Sequence, residues 1–205
     1  MLTIYGCPKT RSVRAVWAME ESGAAYDYVK IDLAKGEGRQ PWYRRVNPGG
    51  KVPALADGDF VLTESAAICT YIGDKFPDSR LAPAVGTRER AQYDQWCYFV
   101  IGELEQPLWT MAKHRFALPQ EWRVSAVIDT AIKEFAVALK LLDDGLGDRP
   151  FILGEMFTCA DILIAQTLLW AKKADVLPES SRLLAYLDRT ASRSAYSRAR
   201  LREGE

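Results

Sequence analysis

Between Asn47 and Ile68 the chain reads Asn-Pro-Gly-Gly-Lys-Val-Pro-Ala-Leu-Ala-Asp-Gly-Asp-Phe-Val-Leu-Thr-Glu-Ser-Ala-Ala-Ile, and no other stretch narrows the fold as far. Asn47 to Gly50 carry turn chemistry, Val52 to Ala56 extend, and Asp57-Gly58-Asp59 is a signal for a tight hairpin. Phe60 to Leu62 extend again, and Thr63-Glu64-Ser65 opens an Ala- and Ile-rich helix. Pro53 stands where a central strand needs a backbone donor, so the expectation is a special geometry, a cis Val52–Pro53 peptide that leaves the Val52 backbone groups to a ligand. Glu64 and Ser65 stand at a helix N-terminus, whose unpaired N–H groups favour anions. An exposed peptide edge, a helix N-terminus and a carboxylate together suit a small zwitterionic peptide.

The first 80 or so residues alternate short strands with helices. Leu2 to Tyr5 reads as a strand, and Cys7-Pro8-Lys9-Thr10-Arg11-Ser12 as a loop entering a helix from about Arg11 to Ser22. Gly23 ends that helix, Tyr26 to Leu33 alternates as a second strand, and a short helix is expected near Trp42 to Arg45. With the hairpin and its helix, the order is β-α-β-α-β-β-α, a thioredoxin-like arrangement. Residues 79–86, marked by Pro83 and by Pro77 just ahead of them, read as a linker after a first domain at 1–78. From 87 to 205 the apolar spacing is helical. Helices are expected at about Thr87 to His114, bent at Pro107, then Glu121 to Leu142, Cys159 to Lys173 and Ser181 to Ser192. The fold class is α/β plus all-α. Thr158 with Asp161 forms a capping box ahead of the apolar run from Ile162.

Lysine plus arginine number 27 and aspartate plus glutamate 27, so nothing draws the chain to nucleic acid or to an anionic membrane. No apolar run reaches the roughly 20 residues of a membrane span, and the start Met1-Leu2-Thr3-Ile4-Tyr5 is not that of a signal peptide. The cysteines Cys7, Cys69, Cys97 and Cys159 are widely spaced and His114 stands alone, which leaves no zinc or other metal site to expect. A reduced, cytoplasmic protein is the economical reading.

The wording NPGGKVPAL followed by LTESAAI resembles the cytosolic glutathione transferases, and the resemblance extends over nearly the whole chain. It implies glutathione as co-substrate, with the Val52 backbone pairing its cysteinyl part beside a cis-Pro53. It places the γ-glutamyl end at Glu64 and Ser65, and Lys51 near the glycyl carboxylate, with Arg39 and Trp42 able to close over that end. The stretch PKTRSVRAVWAMEESG is similar to that of a bacterial and fungal branch related to the yeast transferases. There the presumed thiol-stabilising hydroxyl falls at Thr10, with Arg11 adding positive field.

A free thiol has a pKa near 8.5, and lowering it by about two units corresponds to roughly 2.7 kcal/mol of preferential thiolate stabilisation. Thr10 is the first candidate for that work. Ser12 is a second candidate and has a plainer reading as a helix N-cap. Cys7 could form a mixed disulfide with glutathione, its plainer reading being a small strand-end residue. Tyr5 lies within the strand, in the neighbourhood of the tyrosine that some classes of the family use. Those classes lack this loop wording, and others keep a strand tyrosine with no catalytic role. The electrophile pocket is expected between the two domains, with Trp96, Tyr98, Trp109, Met111, His114 and Phe116 as liners, although aromatic residues at helical spacing are commonly core. The expected function is conjugation of glutathione to small hydrophobic electrophiles by a homodimer. The alternatives are a glutathione-dependent disulfide reductase or peroxidase, and a non-catalytic glutathione-binding or protein-interaction module.

Overall fold

The computed structural model describes residues 1–204, and of Ser181 the backbone only. Its first compact unit comprises Met1–Thr87 together with the chain from Ala191 onward; the second is Arg88–Thr190. The expected division at residue 87 follows the chain linearly, whereas the last helix packs with the first unit.

In the first unit, strand β1 (Leu2–Gly6) leads to α1 (Ser12–Ser22), β2 (Tyr26–Lys30), α2 (Pro41–Val46), the hairpin β3 (Ala54–Asp57) and β4 (Phe60–Thr63), and α3 (Ser65–Lys75). The sheet order is β2-β1-β3-β4, with β1 and β2 parallel and the other pairs antiparallel. This is the thioredoxin-like arrangement. Gly58 takes φ 64° in the two-residue hairpin turn, a conformation that suits glycine there. β2 ends at Lys30, before Leu33: Ile31 still donates its N–H to Gly6 O at 2.7 Å, and the Leu33 N–H then turns the chain back onto Ile31 O at 3.0 Å.

Helix α1 buries Val13, Ala15, Val16, Trp17, Ala18 and Met19 almost completely. Helix α9 (Ser194–Glu203) packs on it and was not apparent in the sequence, because Ser-Ala-Tyr-Ser-Arg-Ala-Arg-Leu-Arg-Glu has no broad apolar stripe. Arg193 makes a two-point ion pair with Glu21, at 2.6 and 2.8 Å. Arg198 bonds Glu20 at 2.9 Å, and the rings of Trp17 and Tyr196 lie 4.5 Å apart.

The second unit is helical. α4 (Arg88–Phe99) and α5 (Glu105–Ala112) form one continuous helix through a π-helical turn at Val100–Leu104, and a second π turn follows at Lys113–Ala117. Pro107 has no N–H to give the Glu103 carbonyl, and the helix widens immediately before it. α6 (Ala126–Leu146) begins later than expected because Gln120–Trp122 is a separate 3-10 turn. α7 (Cys159–Lys173) and α8 (Ser181–Ala191) complete the unit.

The predicted capping box starts α7. Asp161 is fully buried and accepts from the Ile152 and Thr158 N–H groups at 2.8 Å each, from Thr158 Oγ1 at 3.0 Å and from Tyr186 OH at 2.8 Å. Burial pushes its carboxyl up from the usual aspartate range, against the pull of those four donors. Among the described residues no helix is long and apolar enough to cross a membrane.

Candidate functional site

Sheet register gathers three distant segments at one end of the first unit. β1 pairs β3 with Tyr5 opposite Ala54, and β3 pairs β4 with Ala54 opposite Thr63. One step beyond that row come Gly6 with the Cys7–Ser12 loop, Pro53 with Val52 and Lys51, and Glu64 with Ser65.

The Val52–Pro53 peptide is cis, as the sequence led us to expect. The segment before it is held from below: the Lys51 carbonyl accepts from Tyr43 OH at 2.6 Å and from Asn47 Nδ2 at 2.8 Å. Tyr43 is fully buried, and burial pushes its phenol up to about 12, so it stays a neutral donor. Asn47 also accepts the Gly49 N–H at 2.9 Å, closing the turn. Gly38 and Gly50 meet backbone to backbone: a Cβ on Gly38 would fall 2.4 Å from the Gly50 carbonyl oxygen. That approach brings the 3-10 turn Glu37–Arg39 against the turn preceding Lys51. The side chains of Arg39 and Lys51 are exposed, as is Trp42, whose ring meets Tyr43 edge-on at 5.5 Å.

Glu64 caps α3 with φ 67° and ψ 116°, a backbone conformation that costs on the order of 1–3 kcal/mol for a residue other than glycine. Such strain collects at ligand sites. Ser65 follows as the first helical residue and is almost fully buried. Its Oγ accepts from Arg14 Nη1 at 3.1 Å, and Arg14 is fully buried. Sequence reasoning missed Arg14, although it lies in the stretch similar to the yeast-related enzymes, because only the contact across to α3 reveals its use. A hydroxyl that accepts from a buried cation has its own proton left to donate outward.

The loop after β1 is tied to itself. Thr10 Oγ1 donates to Cys7 O at 2.7 Å and accepts the Ser12 N–H at 3.2 Å. Thr10 and Ser12 hydroxyls are 2.8 Å apart, and Cys7 N–H donates to Ser12 Oγ at 3.0 Å. With the Thr10 proton on the Cys7 carbonyl, Ser12 supplies the proton between the two hydroxyls, and every hydrogen-bonding position of Thr10 Oγ1 is engaged. Among the described residues, the Thr10 backbone N–H takes no hydrogen-bond partner. Ser12 is fully buried and is the first residue of α1, the N-cap being Arg11 in a helical conformation, so the N-cap reading of Ser12 does not hold. Lys9 has φ 61°, the second strained backbone at this end of the sheet. Cys7 is half-buried, and the Tyr5 ring packs toward Tyr43 at 6.0 Å.

The expected pocket liners scatter within the helical unit. Met111 is buried, while Tyr98 and Phe116 are 78% and 68% exposed. The Trp96 ring occupies the space a Cβ on Gly145 would need, 2.3 Å away, and packs on Phe99. His114 Nδ1 accepts the Val124 N–H at 3.1 Å, and Trp109 is half-buried. Trp96 and Met111 thus serve packing, the commoner use of large apolar residues on a helix.

Residues 1–74 match the glutathione S-transferase N-terminal domain and residues 125–189 the glutathione S-transferase C-terminal domain. Glutathione S-transferase F10 of Arabidopsis thaliana is 30% identical over 206 residues, 96% of this chain and 94% of the relative. The crystal structure of a glutathione transferase from Methylococcus capsulatus superposes with a TM-score of 0.88 at 29% identity, covering 100% of this chain and 99% of that one. A glutathione transferase homologue from Sulfitobacter with bound glutathione gives 0.81 at 25% identity, covering 97% and 96%. The chain belongs to the glutathione S-transferase family, and the enzyme class that goes with it is a glutathione transferase. The similarities run across plant and bacterial members and do not single out the branch related to the yeast enzymes.

Proposed function

We propose that the chain is a glutathione S-transferase that binds glutathione on its first unit, holds the thiol as thiolate at the Cys7–Ser12 loop, and directs it at small hydrophobic electrophiles. The observation that carries this reading is the register that sets Gly6, Pro53 and Glu64 side by side at one end of the sheet. Glutathione has a separate chemical handle for each segment. The Val52 backbone pairs with the cysteinyl peptide. Glu64 takes the γ-glutamyl ammonium, and the Ser65 hydroxyl together with the start of α3 takes the adjacent carboxylate. Lys51 and Arg39 take the glycyl carboxylate.

The Thr10 hydroxyl is fully engaged inside the loop. We therefore assign thiolate stabilisation to loop backbone N–H groups, the Thr10 N–H foremost, aided by the N-terminal end of α1 and by Arg11. Thr10 and Ser12 hold those groups in place. The thiolate forms the S–C bond, and the electrophile either expels a leaving group with its electron pair or takes up a proton. A detoxifying role in the cytoplasm agrees with this chemistry and with cysteines that, among the described residues, form no disulfide. A homodimer is supported by the apolar surface of Phe60 and Val61 on the edge strand β4, 47% and 38% exposed.

A second reading rests on Cys7. Its half-buried thiol stands at the same loop and would exchange with oxidised glutathione or a mixed disulfide: the Cys7 thiolate attacks one sulfur, and the other leaves as a thiolate.

The deciding experiment is an ultraviolet titration of bound glutathione in the wild type and in Cys7→Ala, Thr10→Ala and Ser12→Ala. A thiolate band with an apparent pKa well below that of free glutathione, present in Cys7→Ala, supports the transferase. Tight binding with no band in any form removes it, and the disulfide reductase or the binding module takes its place.

A further inference from the structure

Resting on that assignment of the Cys7–Ser12 loop, we infer that Tyr28 of β2 and Glu203 of α9 form a positioning pair for thiol activation, which makes the C-terminal helix part of the site's scaffold. Gly6, the last residue of β1, lies directly under the loop. A Cβ there would fall 2.8 Å from Tyr28 Cε2, 3.0 Å from its hydroxyl and 2.9 Å from Ser12 Cβ. Tyr28 and Ser12 therefore both crowd Gly6 and leave no room for a side chain there. Ser12 is the residue that ties the loop, holding Cys7 N–H and Thr10 Oγ1.

The Tyr28 hydroxyl lies against Gly6, with Cys7 among the groups that act on it, and donates to Glu203 Oε1 at 3.4 Å. Glu203 is 1% exposed. Burial, and then the Glu203 carboxylate, hold the Tyr28 phenol well above its ordinary range, so it remains a neutral donor. Helix α9 is itself fixed by the ion pairs of Arg193 and Arg198 with Glu21 and Glu20, and Arg202 donates to Tyr26 O at 3.1 Å in the same strand as Tyr28. A rigid chain of contacts thus runs from α9 through Tyr28 to Ser12 and the loop amides.

The sign of the response separates positioning from simple electrostatics. A buried carboxylate near the loop disfavours a thiolate, so if charge alone mattered, Glu203→Ala would lower the apparent pKa of bound glutathione. Positioning predicts the opposite, because an unanchored Tyr28 releases Ser12. The experiment is the titration of bound glutathione in Tyr28→Phe, Glu203→Ala, Glu203→Gln and the double variant Tyr28→Phe/Glu203→Ala, alongside calorimetric binding of S-methylglutathione, which has no thiol. The expected result is a rise of about half a unit to one unit in Tyr28→Phe and in Glu203→Ala, with no further rise in the double variant. Glu203→Gln keeps an acceptor for the phenol and shows no rise. The Kd of S-methylglutathione changes less than about twofold throughout, since the peptide pocket is elsewhere. A fall in Glu203→Ala, or no change in Tyr28→Phe, overturns the pair. Failure of the underlying reading is visible separately, as the absence of a thiolate band in the wild type.

Discussion

Arg14 Nη1 donates to Ser65 Oγ at 3.1 Å with both residues out of solvent, so a helix that begins at the Cys7–Ser12 loop reaches across and sets the hydroxyl at the start of α3. The guanidinium adds positive charge beneath the place assigned to the γ-glutamyl carboxylate and fixes the direction of the Ser65 proton. Hydrogen bonds to charged groups contribute roughly 1.5–3 kcal/mol. Arg14→Met should therefore weaken S-methylglutathione binding by about tenfold or more, one factor of ten being about 1.4 kcal/mol. The pKa of bound glutathione should move little, because the loop amides are untouched. Calorimetry on the folded variant checks this, and an unchanged Kd would remove Arg14 from the binding site.

Thr10 and Ser12 predict a second contrast. If the Thr10 hydroxyl itself activated the thiol, its loss would reduce kcat/KM by about two to three orders of magnitude, as for other single oxyanion donors. With the backbone as donor, Thr10→Ala should cost less than about tenfold. Thr10→Ser should be close to wild type, since it preserves the bonds to Cys7 and Ser12. Ser12→Ala breaks the link to the Cys7 N–H and the hydroxyl pair, and should be the most damaging of the three. Steady-state kinetics across the three variants rank them, and a hundredfold loss in Thr10→Ala with full stability would return the role to the hydroxyl.

Asp57 predicts a pH dependence. Its carboxylate meets Lys75 Nζ and Tyr71 OH at 2.6 Å each, and Lys75 foremost holds it below the ordinary aspartate range. An acid with a depressed folded-state pKa adds stability that is present above its unfolded value and lost as pH falls through the folded one. Asp57→Asn should therefore lower Tm at pH 7, and the difference from wild type should shrink through the acid side of the aspartate range. Melting curves at pH 7, 5 and 3 test it. A difference that stays constant with pH would mean the carboxylate charge is not the source.

The two elements of this site differ in how far the sequence exposes them. The Lys51–Pro53 segment and the Glu64–Ser65 helix start were readable because turn residues, a proline in a strand and a helix opening are local signals. Asp161 under Thr158 was readable for the same reason. Thr10, Arg14 and α9 are placed by contacts that local pattern does not carry. Thr10 looks like a free hydroxyl until Ser12 and Cys7 fold back on it. Arg14 looks like an ordinary charged helix residue until α3 packs against α1. Helix α9 has no apolar stripe because Arg193, Arg198 and Arg202 dock it through Glu21, Glu20 and the Tyr26 carbonyl. The same reason explains the scattered aromatic residues of the helical unit: helical spacing places Trp96 on a helix but does not show that Gly145 leaves room for its ring.

The capping network of the helical unit predicts a stability effect without a binding effect. Asp161 collects four donors in a fully buried position, and removing an acceptor strands all of them. Asp161→Ala, which leaves buried donors unpaired at about 1–3 kcal/mol each, should cost more than Thr158→Ala, at about 1–2 kcal/mol. Urea unfolding of the full chain gives both numbers. A wild-type Kd for S-methylglutathione in the folded Thr158→Ala variant would keep the role structural.

Lys51 and Arg39 carry the last prediction, because the glycyl carboxylate gives them a ligand-side control. Both side chains are exposed, at the place where Gly38 and Gly50 bring their turns together. Exposed pairs of this kind contribute modestly and are screened by salt, with a Debye length of about 8 Å at physiological ionic strength. Lys51→Ala and Arg39→Ala should each raise the Kd of S-methylglutathione severalfold at low salt, and the effect should shrink as salt is added. With the glycyl carboxylate esterified, wild type should bind as weakly as the variants, and neither substitution should weaken it further. Calorimetry over salt concentration with both ligands completes the cycle. A full loss on Lys51→Ala with the esterified ligand would show that the lysine acts on the turn and not on the carboxylate.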